Sequence, residues 1–162
     1  MGSRDKAYAM RKLLEDTLSQ EERDELLALP GCKSRFDKDT PPIIAGLLEQ
    51  LREHAPIKAD GLSYYKIEAL SSGHGWHYDG CKRDKTTPNH MPWCQWSAVT
   101  LLAEPTAFTG GVLEFRDPDE SYEPEDLYCN TVLYSSGMEN DPQLHRATTN
   151  SGGRRVLLMF MA

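Results

Sequence analysis

Residues 62–70, LSYYKIEAL, mark the point where the chain changes period. Upstream, apolar residues recur at helical spacing. From here on, short runs rich in β-branched and aromatic residues follow one another: QWSAVTLLA (95–103), GVLEF (111–115), NTVLYSS (130–136) and RRVLLMFM (154–161). Clusters of Gly, Pro, Asn and Asp separate them, as strand boundaries require. Several short strands joined by long loops and preceded by helices predict a mainly β fold, an antiparallel sandwich or jelly roll flanked by two or three helices. The segment Asp117–Asp126, rich in acids and carrying two prolines, reads as an exposed loop.

Working outward toward the N-terminus, Ala7, Met10, Leu13, Leu14 and Leu18, then Leu26, Leu27 and Leu29, predict helix from about Arg4 to Leu29. Ser19 and Glu22 form a capping-box pattern that restarts it, and Pro30-Gly31 ends it. A second helix is expected with Thr40 as N-cap, prolines at 41 and 42, and Ile43, Ile44, Leu47, Leu48 and Leu51 on its apolar face. Residues 1–60 are therefore expected to form a helical layer on the sheet, and 61–162 the β core, within one domain. A chain of 162 residues is long enough for a real core and short for two.

The composition narrows the function. A net charge of -7 repels phosphate backbones, so nucleic acid is an unlikely partner; the local cations Lys82, Arg83 and Lys85 read as solvated surface. No apolar run approaches the ~18 residues of a membrane helix. The four cysteines (32, 81, 94, 129) stand far apart with no Cys-x-x-Cys pair, and no apolar leader is visible, which favours a reducing, cytoplasmic location.

The chemistry concentrates in GWHYDG (75–80). In extended chain residues i and i+2 point to the same side, so His77 and Asp79 aim at one point while Tyr78 faces away. A third metal-capable side chain, His145, opens the β-like run in QLHRATT. Two imidazoles and a carboxylate on one face of a metal leave adjacent coordination positions open, an arrangement suited to non-haem Fe(II); a structural zinc site would be closed by four ligands. Beyond it, SGGRRVLLMFM brings an arginine to the start of the final strand. A guanidinium there is able to grip the far carboxylate of a dicarboxylate through paired hydrogen bonds.

Taken in order, HxD (His77, Asp79), GGxLxF (Gly110, Gly111, Leu113, Phe115), LH (Leu144, His145) and a glycine-x-arginine at the last strand resemble the Fe(II)/2-oxoglutarate-dependent dioxygenases, and within them the prolyl 4-hydroxylase-like branch. The resemblance spans roughly Tyr64 to Met161. It implies a double-stranded β-helix in which His77, Asp79 and His145 bind Fe(II), with 2-oxoglutarate as cosubstrate and ascorbate as an accessory reductant. It implies a peptide, a protein or a free amino acid as substrate, with proline the leading residue type. For the cosubstrate anchor the pattern favours Arg155, two residues after Gly153, over its neighbour Arg154, since only one of the two can face inward. Relatives often use a tyrosine near the metal loop to contact 2-oxoglutarate, and Tyr65 is the expected one of the pair Tyr64/Tyr65.

Other residues are weighed against plainer roles. His74, His90 and His54 are expected to be ordinary surface histidines, and Trp76 and Trp96 core or pocket wall. In relatives the segment corresponding to the loop Cys81–Trp93 commonly forms part of the substrate entrance, so the resemblance implies a candidate lid there; the plainer role is a long connection. Relatives commonly place a tyrosine where this chain has Leu101 and Leu102, and a proline after the distal histidine, which is missing here; both departures weaken the case for proline. Two other functions compete. An AlkB-like nucleic-acid demethylase would carry a further arginine where Met161 stands, and a noncatalytic jelly-roll module would bind without turnover.

Overall fold

The computed structural model describes residues 10–162. Among the described residues ten strands form two antiparallel sheets. The larger has the order β1 (Arg11–Leu14), β8 (Thr131–Ser135), β5 (Trp96–Leu101), β10 (Val156–Met161), β3 (Ser63–Glu68), β2 (Cys32–Arg35). The smaller has the order β4 (His74–His77), β9 (His145–Ala147), β6 (Leu113–Phe115), β7 (Glu120–Tyr122). The result is the expected jelly roll, and the strands anticipated after Gly61 form at β3, β5, β6, β8 and β10.

The larger sheet has apolar side chains on both faces, and the alternation along each strand decides which core each enters. Ile67, Ala98, Leu133, Leu157 and Met159 pack against helices α1 (Gln20–Leu27) and α2 (Pro42–Arg52), through Leu26, Ile44, Leu47, Leu48 and Leu51. Their sequence neighbours Val99, Val132, Tyr134 and Val156 point the other way, toward Leu113, Phe115 and Tyr122 of the smaller sheet. Parity along β10 therefore decides what faces the site and what faces the helices.

Helix α1 begins where its capping box predicts: Glu22 N–H donates to Ser19 Oγ at 3.1 Å and Ser19 N–H to Glu22 Oε1 at 2.8 Å. It is tied to the sheet by buried Arg23, which donates to the Leu102 carbonyl and pairs with Glu104 at 3.0 Å. Helix α2 starts at Pro42 with Pro41 as N-cap, while Thr40 accepts from Asp37 N–H at 2.9 Å and so closes the preceding turn instead. Leu51 is fully buried between α2 and the sheet. Leu51→Ala is expected to cost about 2–5 kcal/mol, read as a lower midpoint in urea denaturation.

Three expectations are corrected. The helix anticipated from Arg4 starts only at Gln20; Arg11–Leu14 is strand β1, paired with β8 in the register Arg11↔Tyr134, and Arg4–Ala9 lie outside the described residues. A short run such as RKLL satisfies helix and strand patterns equally, and the open edge of β8 decides between them. Residues up to 60 thus supply both edge strands of the larger sheet, β1 and β2, besides the helices. Finally, Asp117–Asp126 is no simple loop: it contains β7 and a short helix α3 (Pro124–Leu127), anchored by buried Tyr122 and Leu127.

Candidate active site

The two sheets enclose a cavity of about 230 Å³. Its walls include Val99, Tyr134, Arg154, Val156 and Leu158 from the larger sheet side and His77, Leu113, His145 and Ala147 from the smaller. His77 closes β4 and pairs in register with His145 at the start of β9, so the two rings lie 4.3 Å apart, centroid to centroid. Asp79 follows two residues on and is buried. Gly80 then turns the chain away against β8: a Cβ there would stand 2.2 Å from the Cys94 carbonyl oxygen, so only glycine fits.

The three side chains meet. Asp79 Oδ1 is 3.1 Å from His77 Nε2 and 3.4 Å from His145 Nε2, and one ligand atom from each of the three lies within 4.8 Å of the others. Each ring is oriented from behind. Nδ1 of His77 lies 2.6 Å from the Gly75 carbonyl oxygen, and Nδ1 of His145 lies 2.9 Å from that of Gln143. Carbonyls only accept, so each Nδ1 carries a proton and each neutral ring presents its Nε2 lone pair to the centre. Tyr134 completes the cluster, donating its hydroxyl to Asp79 Oδ2 at 2.9 Å with its oxygen 3.1 Å from His145 Nε2.

This donor set is short of hydrogens. With both Nδ1 protons and the phenol proton committed, two Nε2 lone pairs and a carboxylate oxygen converge on one point. A divalent cation would satisfy them all. Burial works against a charged His77, but its hydrogen bond to and the charge of Asp79 outweigh it and raise its pKa. Burial likewise pushes the Asp79 carboxyl up, yet the charge and hydrogen bond of His145 and those of His77 carry it well below the usual range.

Sequence reasoning missed Tyr134. Its alternation with Val132 was legible, but not that this face looks onto the metal-capable cluster. Its phenol spends its one proton on Oδ2, which keeps that oxygen turned away and Oδ1 toward the histidines. Tyr134→Phe is expected to weaken divalent-metal binding about tenfold, in line with other groups that orient metal ligands, and the value is read by titrating Co(II) against its visible absorption.

Arg154, not Arg155, reaches the cavity. It shares its side of β10 with Val156 and Leu158, is only 6% exposed, and lines the same cavity as the triad. Among the described residues its side chain has no hydrogen bond or ion pair. Burial lowers its pKa, partly offset by the charge of Glu68. Room for it comes from Gly111, at φ 70°, where a Cβ would stand 2.5 Å from Arg154 Cδ. The second glycine of GGxLxF is therefore the seat of this arginine. Arg155 faces the helices and donates to the Leu29 carbonyl. The sequence contains glycine two residues before either arginine, at 152 and 153, so that pattern was satisfied in both registers; the pairing Val156↔Leu101 sets the register.

Tyr65 is likewise on the wrong face: it is buried in the helix-side core, edge-on to Phe36. The side chains of β3 that reach the cavity are Lys66 and Glu68. Glu68 accepts from Lys66 at 2.9 Å and lies 3.1 Å from His74 Nε2; the His74 hydrogen bond, ahead of Lys66 and against burial, holds its pKa at about 2. His74 and His90 thus line the cavity. The loop Cys81–Trp93 forms one wall, with Asn89 donating to the Asp79 carbonyl at 2.8 Å and Trp93 stacked on Tyr64. Trp96 is buried in the helix-side core, and Trp76 lies on the outer face of the smaller sheet beneath Arg116 and Arg146. None of the four cysteines is disulfide-bonded, and no helix among the described residues is long and apolar enough to cross a membrane.

The chain shares its fold with solved 2-oxoglutarate oxygenases. A viral collagen prolyl hydroxylase from Paramecium bursaria chlorella virus-1, solved with 2OG, superposes with a TM-score of 0.67 at 14% identity, over 93% of each chain. A Pseudomonas putida prolyl-4-hydroxylase gives 0.62 at 14% identity, over 93% of this chain and 91% of that one. A 2OG-Fe(II) oxygenase family oxidoreductase from Burkholderia pseudomallei gives 0.57 at 16%, over 93% and 82%. No protein-family model and no curated protein matches the sequence.

Proposed function

We propose that this protein is an Fe(II)- and 2-oxoglutarate-dependent dioxygenase that hydroxylates an amino-acid side chain, with proline in a peptide or protein as the leading substrate. One observation carries the reading: a buried arginine with no hydrogen-bond or ion-pair partner among the described residues, Arg154, opens into the same cavity as a His-Asp-His cluster whose donor atoms lie within 4.8 Å of one another. A buried cation calls for an anion, and a cluster of lone pairs calls for a metal. A small dicarboxylate chelating at one end and held by Arg154 at the other answers both. The likeness in fold to a prolyl hydroxylase solved with 2OG supports this assignment.

In this reading His77, Asp79 and His145 hold Fe(II), which when bound couples reduction of O2 to oxidation of 2-oxoglutarate to succinate and CO2 and of a substrate C–H to C–OH. The chain's own part is placement. Arg154 offers paired N–H donors to the distal carboxylate, and Gly111 keeps the space for it. Glu68 stays engaged with Lys66 and His74, which leaves the Arg154 donors to the ligand. Val99, Leu113, Val156 and Leu158 exclude water around the reacting carbon.

Purified protein mixed with Fe(II) and 2-oxoglutarate without oxygen is expected to develop a weak visible charge-transfer band. Succinate then follows on admitting air. Absence of both would leave a noncatalytic binding module as the better reading.

A further inference from the structure

The mouth of the cavity is cationic in a chain of net charge -7. The pairing of β2 with β3 sets Lys33 directly opposite Lys66, and both line the cavity. Cys32 and Phe36 pack into the helix-side core, so the alternation of β2 puts Lys33 and Arg35 on the cavity side, with Arg35 opposite Tyr64. Like charges in register across an antiparallel pair repel, and an anion bound beside them relieves that repulsion. Glu68, the acid on the same strand as Lys66, is already engaged, shared between Lys66 at 2.9 Å and His74 at 3.1 Å. Lys33 and Arg35 have no side-chain hydrogen bond or ion pair among the described residues.

This rim is joined to the deep end of the cavity. Leu158 and Phe160, half-buried neighbours of Lys66 and Tyr64 on β10, line the cavity and form an apolar floor. Tyr64 and Trp93, stacked with ring centroids 5.4 Å apart, form a flat shelf beside it. A ligand lying on that floor would place an apolar residue over Leu158 and Phe160 and its neighbouring groups against Lys33, Arg35 and Lys66.

Building on the oxygenase reading, we propose that the substrate is an acidic peptide segment, in which the hydroxylated residue is flanked by carboxylates that the Lys33, Arg35 and Lys66 rim binds. A peptide fits better than a polynucleotide, because a phosphate backbone extending past this small rim would meet the net negative surface.

Binding of fluorescein-labelled peptides to the full chain with Fe(II) and 2-oxoglutarate, without oxygen, tests this by anisotropy. Three proline-centred peptides with aspartate, serine or lysine flanks are compared with a single-stranded oligonucleotide of the acidic peptide's charge. The acidic peptide is expected to bind about tenfold tighter than the neutral one, consistent with two or three exposed charge contacts, and to lose that margin in high salt. The double variant Lys33→Glu, Arg35→Glu is expected to abolish the margin, with the charge-transfer band unchanged. Equal binding of acidic and neutral peptides, a margin that survives the double variant, or tighter binding of the oligonucleotide would overturn the acidic-peptide assignment. Those results, with the band still present, would leave the oxygenase reading standing; loss of the band in the unmodified protein would sink that reading instead.

Discussion

Asp79→Ala is expected to remove measurable Fe(II) binding and all iron-dependent succinate formation while the fold persists. Asp79 supplies the only negative charge among the three converging groups, and its Oδ1 lies within 3.4 Å of both imidazoles. Two neutral rings alone make a weak site, so a loss in metal affinity beyond about 100-fold is expected, more than is usual for groups that only orient ligands. Stability falls for a different reason: Tyr134 loses the acceptor of its buried hydroxyl, at a cost of about 1–3 kcal/mol. That is small beside the two cores on either side of the larger sheet. Metal titration and circular dichroism on one preparation separate the two effects, and an Asp79→Ala protein that binds Fe(II) as the parent does would refute the proposed site.

The second large effect is expected at Arg154. Arg154→Ala should raise the 2-oxoglutarate concentration that half-saturates the charge-transfer band by roughly ten- to a hundredfold, the equivalent of a charge-assisted contact of about 1.5–3 kcal/mol. Fe(II) binding in the absence of 2-oxoglutarate should stay as it was. Arg155→Ala is the internal control: its guanidinium serves the Leu29 carbonyl on the far side of the sheet, so it should lower stability slightly and leave the titration unmoved. The reverse pattern would place the anchor on the wrong arginine.

These two variants also mark how far the amino-acid order could be read. The strands from LSYYKIEAL onward and the capping box at Ser19 were legible because each depends on local chemistry: a period of two, turn residues, a hydroxyl three residues before a carboxylate. His77, Asp79 and His145 were candidates because the first two stand at i and i+2 and the third opens a later β-like run. Strand β1 was not, because RKLL carries no local preference and its state depends on the unpaired edge of β8.

The candidate triad was thus named from residue type, spacing and resemblance, and the fold brings its ligand atoms within 4.8 Å of one another. Which of Arg154 and Arg155 looks inward, why Tyr65 does not, that Tyr134 steadies Asp79 and that Lys33 meets Lys66 were all settled by the assembled sheets. The physical reason is that both faces of the larger sheet are buried. With apolar residues on either side, alternation reveals that neighbours diverge but not which of them meets the helices. Only the hydrogen-bonded register between strands distant in sequence supplies that one bit, and every side chain in the cavity depends on it.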